Sequence, residues 1–114
     1  MKFDKFEDIV AWKKAGELTT KIYSIFRYNK DYGFSDQIKR ASVSVMNNIA
    51  EGFERQSNKE FSKFLFIAKG SCGEVRSMLY LSLKFEYINN AQFKELKDVS
   101  LEISKMLSGL IKTL

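Results

Sequence analysis

The chain has 114 residues, of which 45% are hydrophobic and 29% are charged, and its 19 Lys+Arg against 14 Asp+Glu give a formal charge of +5. This length and composition are typical of one globular domain with its own core, not of a disordered tail. Histidine and proline are both absent. The lack of histidine excludes Ser-His-Asp and Cys-His catalysis and the Glu-x-x-His di-iron site. The lack of proline leaves no residue that forces a helix to break.

The first half of the chain predicts two helices. Apolar residues recur every three or four positions over about residues 6–28, which indicates the first helix. Residues 29–34 form a connection, after which Ser35 or Asp36 is the expected N-cap. The second helix is expected over about residues 36–55.

The second half predicts two more helices and completes the fold. Ser57 with Glu60 has the spacing of a capping box, which opens a third helix over about residues 58–88. Asn89 with Gln92 forms a weaker box before a fourth helix over about residues 91–113. No stretch alternates apolar and polar residues as a strand does. We therefore predict an all-α, antiparallel up-and-down four-helix bundle that forms a single domain over residues 1–114.

The second helix carries polar residues where a core helix would not need them. Asn48 shares the apolar face of Ile38, Val45 and Ile49. A buried amide without partners costs roughly 1–3 kcal/mol. Either this helix meets a partner, or it holds a polar network that fixes one packing. The predicted packing and interface network comprises Gln37, Arg40, Asn48 and Glu51.

The third helix contains a run of small residues, from Ala68 to Gly73. Two glycines inside a helix cost roughly 1 kcal/mol each relative to alanine. Small side chains let helices approach closely, so the run indicates either tight packing of the second and third helices or a close contact with another subunit or a ligand backbone. The residues predicted to allow close packing are Gly52, Ala68, Gly70, Ser71 and Gly73.

The chain has more aromatic residues than a four-helix core of this size requires: ten Phe, five Tyr and one Trp. Phe53, Phe66, Tyr23 and Tyr80 lie off the main apolar stripes. Exposed aromatic clusters mark protein interfaces more often than platforms for unpaired bases. The surplus therefore favours self-association.

Basic residues suggest a possible nucleic-acid surface. Most lysines are expected on solvated helix faces, but the turn between the second and third helices brings several cations side by side. The candidate phosphate contacts are Arg40, Arg55, Lys59 and Lys63, with Lys69 nearby. A ring of such patches would bind a polyanion that one copy could not hold.

No motif indicates catalysis, a metal or a cofactor. The carboxylates have no spacing that singles out a ligand set, and the chain lacks a Ser-x-x-Lys nucleophile and a glycine-rich phosphate loop. Cys72 has no histidine to activate it and is expected to face the core. The single cysteine, the charged start and the lack of a long apolar run predict a cytoplasmic protein without a membrane span.

The run from Gln37 to Gly52 resembles the signature of the 23S rRNA intervening-sequence proteins, a four-helix-bundle family. The runs Asn48–Gly52 and Ala68–Ser71 are its most specific parts. The similarity continues through Ser57, Glu60-Phe61, Phe64-Leu65, Ile67-Ala68, Gly70-Ser71 and Glu74. The family usually has proline where this chain has Met46, so the helix bend at that point is in question.

The resemblance implies a bundle that assembles as a cyclic homopentamer. A similar fold serves as the accessory protein of diversity-generating retroelements, which is linked to nucleic-acid binding. We therefore predict a non-enzymatic, cytoplasmic homo-oligomer, a pentamer by resemblance, that binds rRNA or another nucleic acid, RNA or DNA. The alternative is a purely structural or adaptor protein whose oligomer presents a surface to a protein partner.

Overall fold

The computed structural model describes residues 3–114 and contains helices but no strands over that range. A 3-10 turn at Phe6–Asp8 precedes α1, Val10–Ile25, and the remaining helices are α2, Tyr32–Glu54, α3, Asn58–Lys84, and α4, Asn90–Lys112. Each helix packs against the next, and α1 also packs against α4. The result is a bundle 43 × 22 × 19 Å in extent, which confirms the predicted all-α fold.

The core lies along the bundle axis and takes one apolar stripe from every helix. Side chains spaced three, four or seven residues apart point inward because the helix repeats every 3.6 residues. These stripes include Leu18 and Ile22 of α1, Val45 and Ile49 of α2, Leu65 and Leu79 of α3, and Ile103 and Leu107 of α4, all completely buried.

The start of α2 differs from the sequence prediction. The helix begins at Tyr32, and its N-cap is Asp31, whose side chain accepts a hydrogen bond from the Phe34 amide at 3.3 Å. The expectation that Ser35 or Asp36 caps this helix is therefore wrong, since both residues lie within its first turns. The second Asp31 oxygen accepts the Tyr87 hydroxyl at 2.6 Å, so a contact distant in sequence helps to fix the helix start.

The two predicted capping boxes differ in completeness. The Ser57 hydroxyl accepts the Glu60 amide at 3.1 Å. The box before α4 is complete, because Asn89 Oδ1 accepts the Gln92 amide and Gln92 Oε1 accepts the Asn89 amide, at 2.8 and 2.9 Å. Between them, α3 ends at Lys84, earlier than the predicted residue 88. Glu86 adopts a positive φ of 62° there, which turns the chain out of the helix.

Helix α2 continues through Met46 without a break. The Met46 side chain packs over Gly16 of α1, with its Cε 3.1 Å from the position that a Cβ on Gly16 would occupy. The flexible thioether fills the space where α2 crosses α1.

Candidate functional site

A set of polar side chains joins α2 to α3 inside the chain. The Asn48 amide donates to the Ser44 carbonyl at 2.8 Å and to the Ser44 hydroxyl at 2.9 Å. Ser44 and Ser71 share a hydrogen bond of 2.9 Å between their hydroxyls across the two helices. The side-chain nitrogen of the half-buried Asn48 therefore finds its acceptors within the protomer. Ser71, predicted only as a small residue, supplies the polar link to α3.

The four residues predicted as one polar network occupy separate places. Gln37 and Arg40 line an open groove of about 590 Å³ between α2 and α3, where the Gln37 amide donates to Glu74 at 3.4 Å. Glu51 lies about 16 Å from Arg40 along α2, because the helix rises about 1.5 Å per residue. It pairs with Arg55 at 3.0 Å. The expectation of a single network is corrected, because the helix length separates its members.

The residues predicted to allow close packing also divide into two groups. Gly52 lies where the two helices meet, since an added Cβ would sit 2.5 Å from the Phe64 Cβ. Ala68 is completely buried in the core. Gly70 and Gly73 have nothing within 4 Å of an added Cβ, so they do not pack α2 against α3. The packing interpretation of these two glycines is corrected: they face open space.

The open space at these glycines belongs to a continuous exposed stripe, called here the α3 face. Its members repeat at three, four and seven residues along the helix, over about 22 Å. Phe66 is 58% exposed and Tyr80 54% exposed, as expected for aromatics off the apolar stripes. Phe53 is the exception, because it is buried against Phe61. The α3 face comprises Phe66, Ile67, Gly70, Gly73, Ser77, Tyr80 and Leu81.

The predicted phosphate contacts do not all lie together. Arg40 lies about 22 Å along α2 from Arg55. Arg55 pairs with Glu51 and stacks over the Phe64 ring at 4.9 Å. Residues 51–63 hold as many carboxylates as cations, so their formal charges cancel. The expectation that these cations lie together is corrected by helix geometry and by the intervening glutamates.

A second groove, between α1 and α2, was not predicted from the sequence. It encloses about 680 Å³ and has no carboxylate in its lining, which comprises Thr19, Thr20, Tyr23, Ser24, Arg27, Lys39 and Val43. The Lys39 ammonium lies 5.2 Å from the centre of the Tyr23 ring. The run Arg27–Tyr32, in which cations alternate with tyrosines, was the available signal in the sequence. We call this second groove the α1–α2 groove.

The single thiol is held in the core. Cys72 is completely buried and donates to the Ser100 carbonyl at 3.1 Å. Burial raises the pKa of this thiol to about 11, so it is protonated at neutral pH. Over residues 3–114, no three His, Cys, Asp or Glu side chains are grouped to hold a metal. Within the same range, no helix has the length and apolar content needed to cross a bilayer.

These features define a four-helix-bundle protein with an exposed apolar helix face and two open grooves. The chain belongs to the family of 23S rRNA-intervening sequence proteins, which it matches over residues 7–109. This match confirms the resemblance carried by the signature of α2 and α3.

The bundle is also similar to a solved structure. The crystal structure of a protein of unknown function from the S23 ribosomal protein family of Bacteroides thetaiotaomicron is 31% identical, with a TM-score of 0.83. The match covers 90% of this chain and 98% of that one. A search of curated proteins gives no match.

Proposed function

We propose that this protein is a non-enzymatic homo-oligomer that assembles through the α3 face. The observation that carries the proposal is the pair Gly70 and Gly73, each surrounded by open space within the chain. Glycine inside a helix costs about 0.5–1 kcal/mol relative to alanine. No contact inside the protomer offsets that cost, whereas the close approach of a second helix would.

The side chains around the glycines support a protein partner. Phe66 and Ile67 flank one end of the small residues, and Tyr80 and Leu81 flank the other, all between 42% and 58% exposed. Aromatic residues with few charges are typical of the centre of an interface. Lys63 and Lys84 lie beyond the two ends of this stripe, as expected for a polar rim. A second copy of the chain is the occupant we propose.

A cyclic arrangement follows from the resemblance to the family. A ring needs two different surfaces on each subunit, one for each neighbour. The α3 face supplies one of them. We propose five copies in the ring, on the family resemblance, and a ring that acts as a scaffold for other molecules.

Light scattering after size-exclusion chromatography tests the assembly. The wild type is expected to have several times the 13.2 kDa mass of one chain, and five times that mass for a pentamer. Phe66→Glu places a charge in the α3 face and is expected to give the 13.2 kDa monomer. Val10→Glu is the matched control, because Val10 is 50% exposed on α1, outside that face.

Different results test the assembly and the face that forms it. A monomeric wild type contradicts the proposal, and a Phe66→Glu variant with the mass of the wild type contradicts the assignment of the face. Phe66 is exposed, so its substitution is expected to leave the bundle folded, which circular dichroism checks.

Nucleic-acid binding is the second candidate function. The net charge of +5 favours it. The cancelled charges of residues 51–63 do not favour the surface around Arg55, Lys59 and Lys63. Filter binding of ribosomal RNA fragments across a salt range tests the activity, since an electrostatic complex weakens as salt rises.

A further inference from the structure

The α1–α2 groove holds positive charge that no carboxylate neutralises. Arg27 of the α1–α2 turn and Lys39 of α2 both line it, and neither takes part in an ion pair within residues 3–114. The acid nearest to Arg27 in sequence, Asp31, is already engaged by the Phe34 amide and the Tyr87 hydroxyl. The acid nearest to Lys39, Asp36, lines the groove between α2 and α3 and forms no ion pair with Lys39. The α1–α2 groove therefore presents two free cations.

Exposed tyrosines accompany these cations. Tyr23 is 45% exposed and lines the groove together with Arg27. Tyr32 is 71% exposed and precedes Lys39 by two helical turns, so both share a face of α2. Tyr28 is 85% exposed in the connecting turn, at most about 14 Å along the chain from Tyr32. Tyr23 thus lines the groove itself, Tyr28 lies beside Arg27, and Tyr32 shares a helix face with Lys39.

Each cation of the groove lies near the ring of a tyrosine. The Arg27 guanidinium lies 6.0 Å from the centre of the Tyr28 ring, and the Lys39 ammonium lies 5.2 Å from that of Tyr23. Contacts of this length hold a cation by the charge distribution of the ring and limit where its side chain moves. The charged groups are therefore positioned along the groove before any ligand arrives.

Alternating cations and exposed aromatics suit one class of ligand. Single-stranded nucleic acid presents phosphates at regular intervals and free base faces between them, and proteins bind it by cationic grooves with stacking side chains. A duplex hides its base faces, whereas a single strand offers both groups in regular alternation. We propose that the α1–α2 groove binds single-stranded nucleic acid, with Arg27 and Lys39 on phosphates and Tyr28 and Tyr32 beneath bases.

This site goes beyond the proposed assembly and is separate from it. The α3 face lies on a different helix from both walls of the groove. Loss of binding with the oligomer intact concerns the groove alone, and loss of the oligomer concerns the α3 face. The two ideas therefore fail independently.

Fluorescence anisotropy with a labelled oligouridine of about 12 nucleotides tests the site on the full chain. The double variant Arg27→Gln/Lys39→Gln is expected to bind at least about tenfold more weakly at about 50 mM salt. Its log–log salt slope is expected to be smaller by about 1.4, or about 0.7 for each phosphate that is no longer neutralised. Lys105→Gln/Lys112→Gln, at two exposed lysines of α4, is the matched control with the same change of charge, and its affinity is expected to stay within about twofold of the wild type.

The stacking role has its own signature. Tyr28→Ser/Tyr32→Ser is expected to weaken binding about tenfold with an unchanged salt slope, because no charge is removed. Light scattering and circular dichroism on every variant check that mass and helix content are those of the wild type. If a double variant fails to fold, the single variants of exposed Arg27 and Tyr28 carry the test.

Specific results would overturn this proposal. It is overturned if the wild type does not bind the oligouridine at about 50 mM salt, or if the Lys105/Lys112 control loses as much affinity as the Arg27/Lys39 variant. Two further arms use an RNA duplex of the same length and vesicles containing phosphatidylserine. Tighter binding of either than of the single strand overturns it too, because the tyrosines would then have no bases to stack.

Discussion

Glycine has opposite roles at two positions of the α2–α3 pair. At Gly52 an added Cβ would sit 2.5 Å from the Phe64 Cβ, whereas at Gly70 it would meet nothing. We expect Gly52→Ala to lower the free energy of unfolding by about 1–3 kcal/mol, since the helices must move apart. Gly70→Ala is expected to raise it by about 0.5–1 kcal/mol, through the better helix propensity of alanine.

Urea unfolding of both variants in the monomeric Phe66→Glu background measures these changes without the contribution of assembly. A loss of stability at Gly70 would show that this glycine is required inside the protomer. The proposed assembly would then lose its main support.

The buried thiol makes stability depend on pH above neutrality. Burial raises the pKa of Cys72 from 9.0 to about 11, so the folded protein holds the thiol proton more tightly than the unfolded chain does. The stability that this proton contributes is complete below pH 9 and is lost as the pH rises through 11. We expect the wild type to lose about 1 kcal/mol more than Cys72→Ala between pH 7 and pH 10. Urea unfolding at the two pH values measures this difference, and parallel losses in the two proteins would contradict it.

At the scale of the helix, the start of α2 provides a direct comparison of sequence and structure. Asp31 caps this helix and also accepts the Tyr87 hydroxyl, whereas Asp36 is exposed within the helix. We expect Asp31→Ala to cost about 1–2 kcal/mol, as the loss of an N-cap does. Asp36→Ala is expected to change stability by less than about 0.5 kcal/mol. Thermal unfolding compares the stabilities of the two variants. An equal or larger loss of stability for Asp36→Ala would indicate that Asp36, as predicted from the sequence, caps the helix.

Helices were predictable from the sequence where periodicity alone decides them. The stripes of α1 to α4 follow from repeats of three and four residues, and the Asn89–Gln92 box marks the start of α4. The Asp31 cap was not predictable in this way, because Tyr87 lies 56 residues away in sequence. Gly70 and Gly73 resemble packing glycines in sequence, and only the position of neighbouring helices shows that they face outward.

The candidate sites show the same limit. The cations chosen from the sequence were grouped by the turn that joins α2 to α3, yet a helix places Arg40 and Arg55 far apart. The α1–α2 groove needs residues from the end of α1 and the middle of α2 together, which no local pattern reveals. Tyr23 was singled out only as an aromatic off the apolar stripes, and the cations and tyrosines of Arg27–Tyr32 gave no position in the fold.

At the scale of the whole molecule, salt should separate folding from binding. The described ion pairs all lie at the surface, and two of them, Lys14–Glu102 and Lys21–Glu95, join α1 to α4. Exposed pairs contribute about 0–1 kcal/mol each, and the buried core is insensitive to screening. We therefore expect a rise from about 50 to about 500 mM sodium chloride to change the free energy of unfolding by no more than about 1 kcal/mol.

Binding should respond far more strongly to the same change. The two cations of the α1–α2 groove, Arg27 and Lys39, would give a log–log slope of about −1.4 for a single strand, or roughly a 25-fold loss of affinity for a tenfold rise in salt. Urea unfolding and anisotropy in matched buffers measure the two quantities side by side. If stability fell together with affinity, the loss of binding would reflect unfolding. A flat binding curve in a stable protein would instead show that phosphate contacts do not hold the ligand.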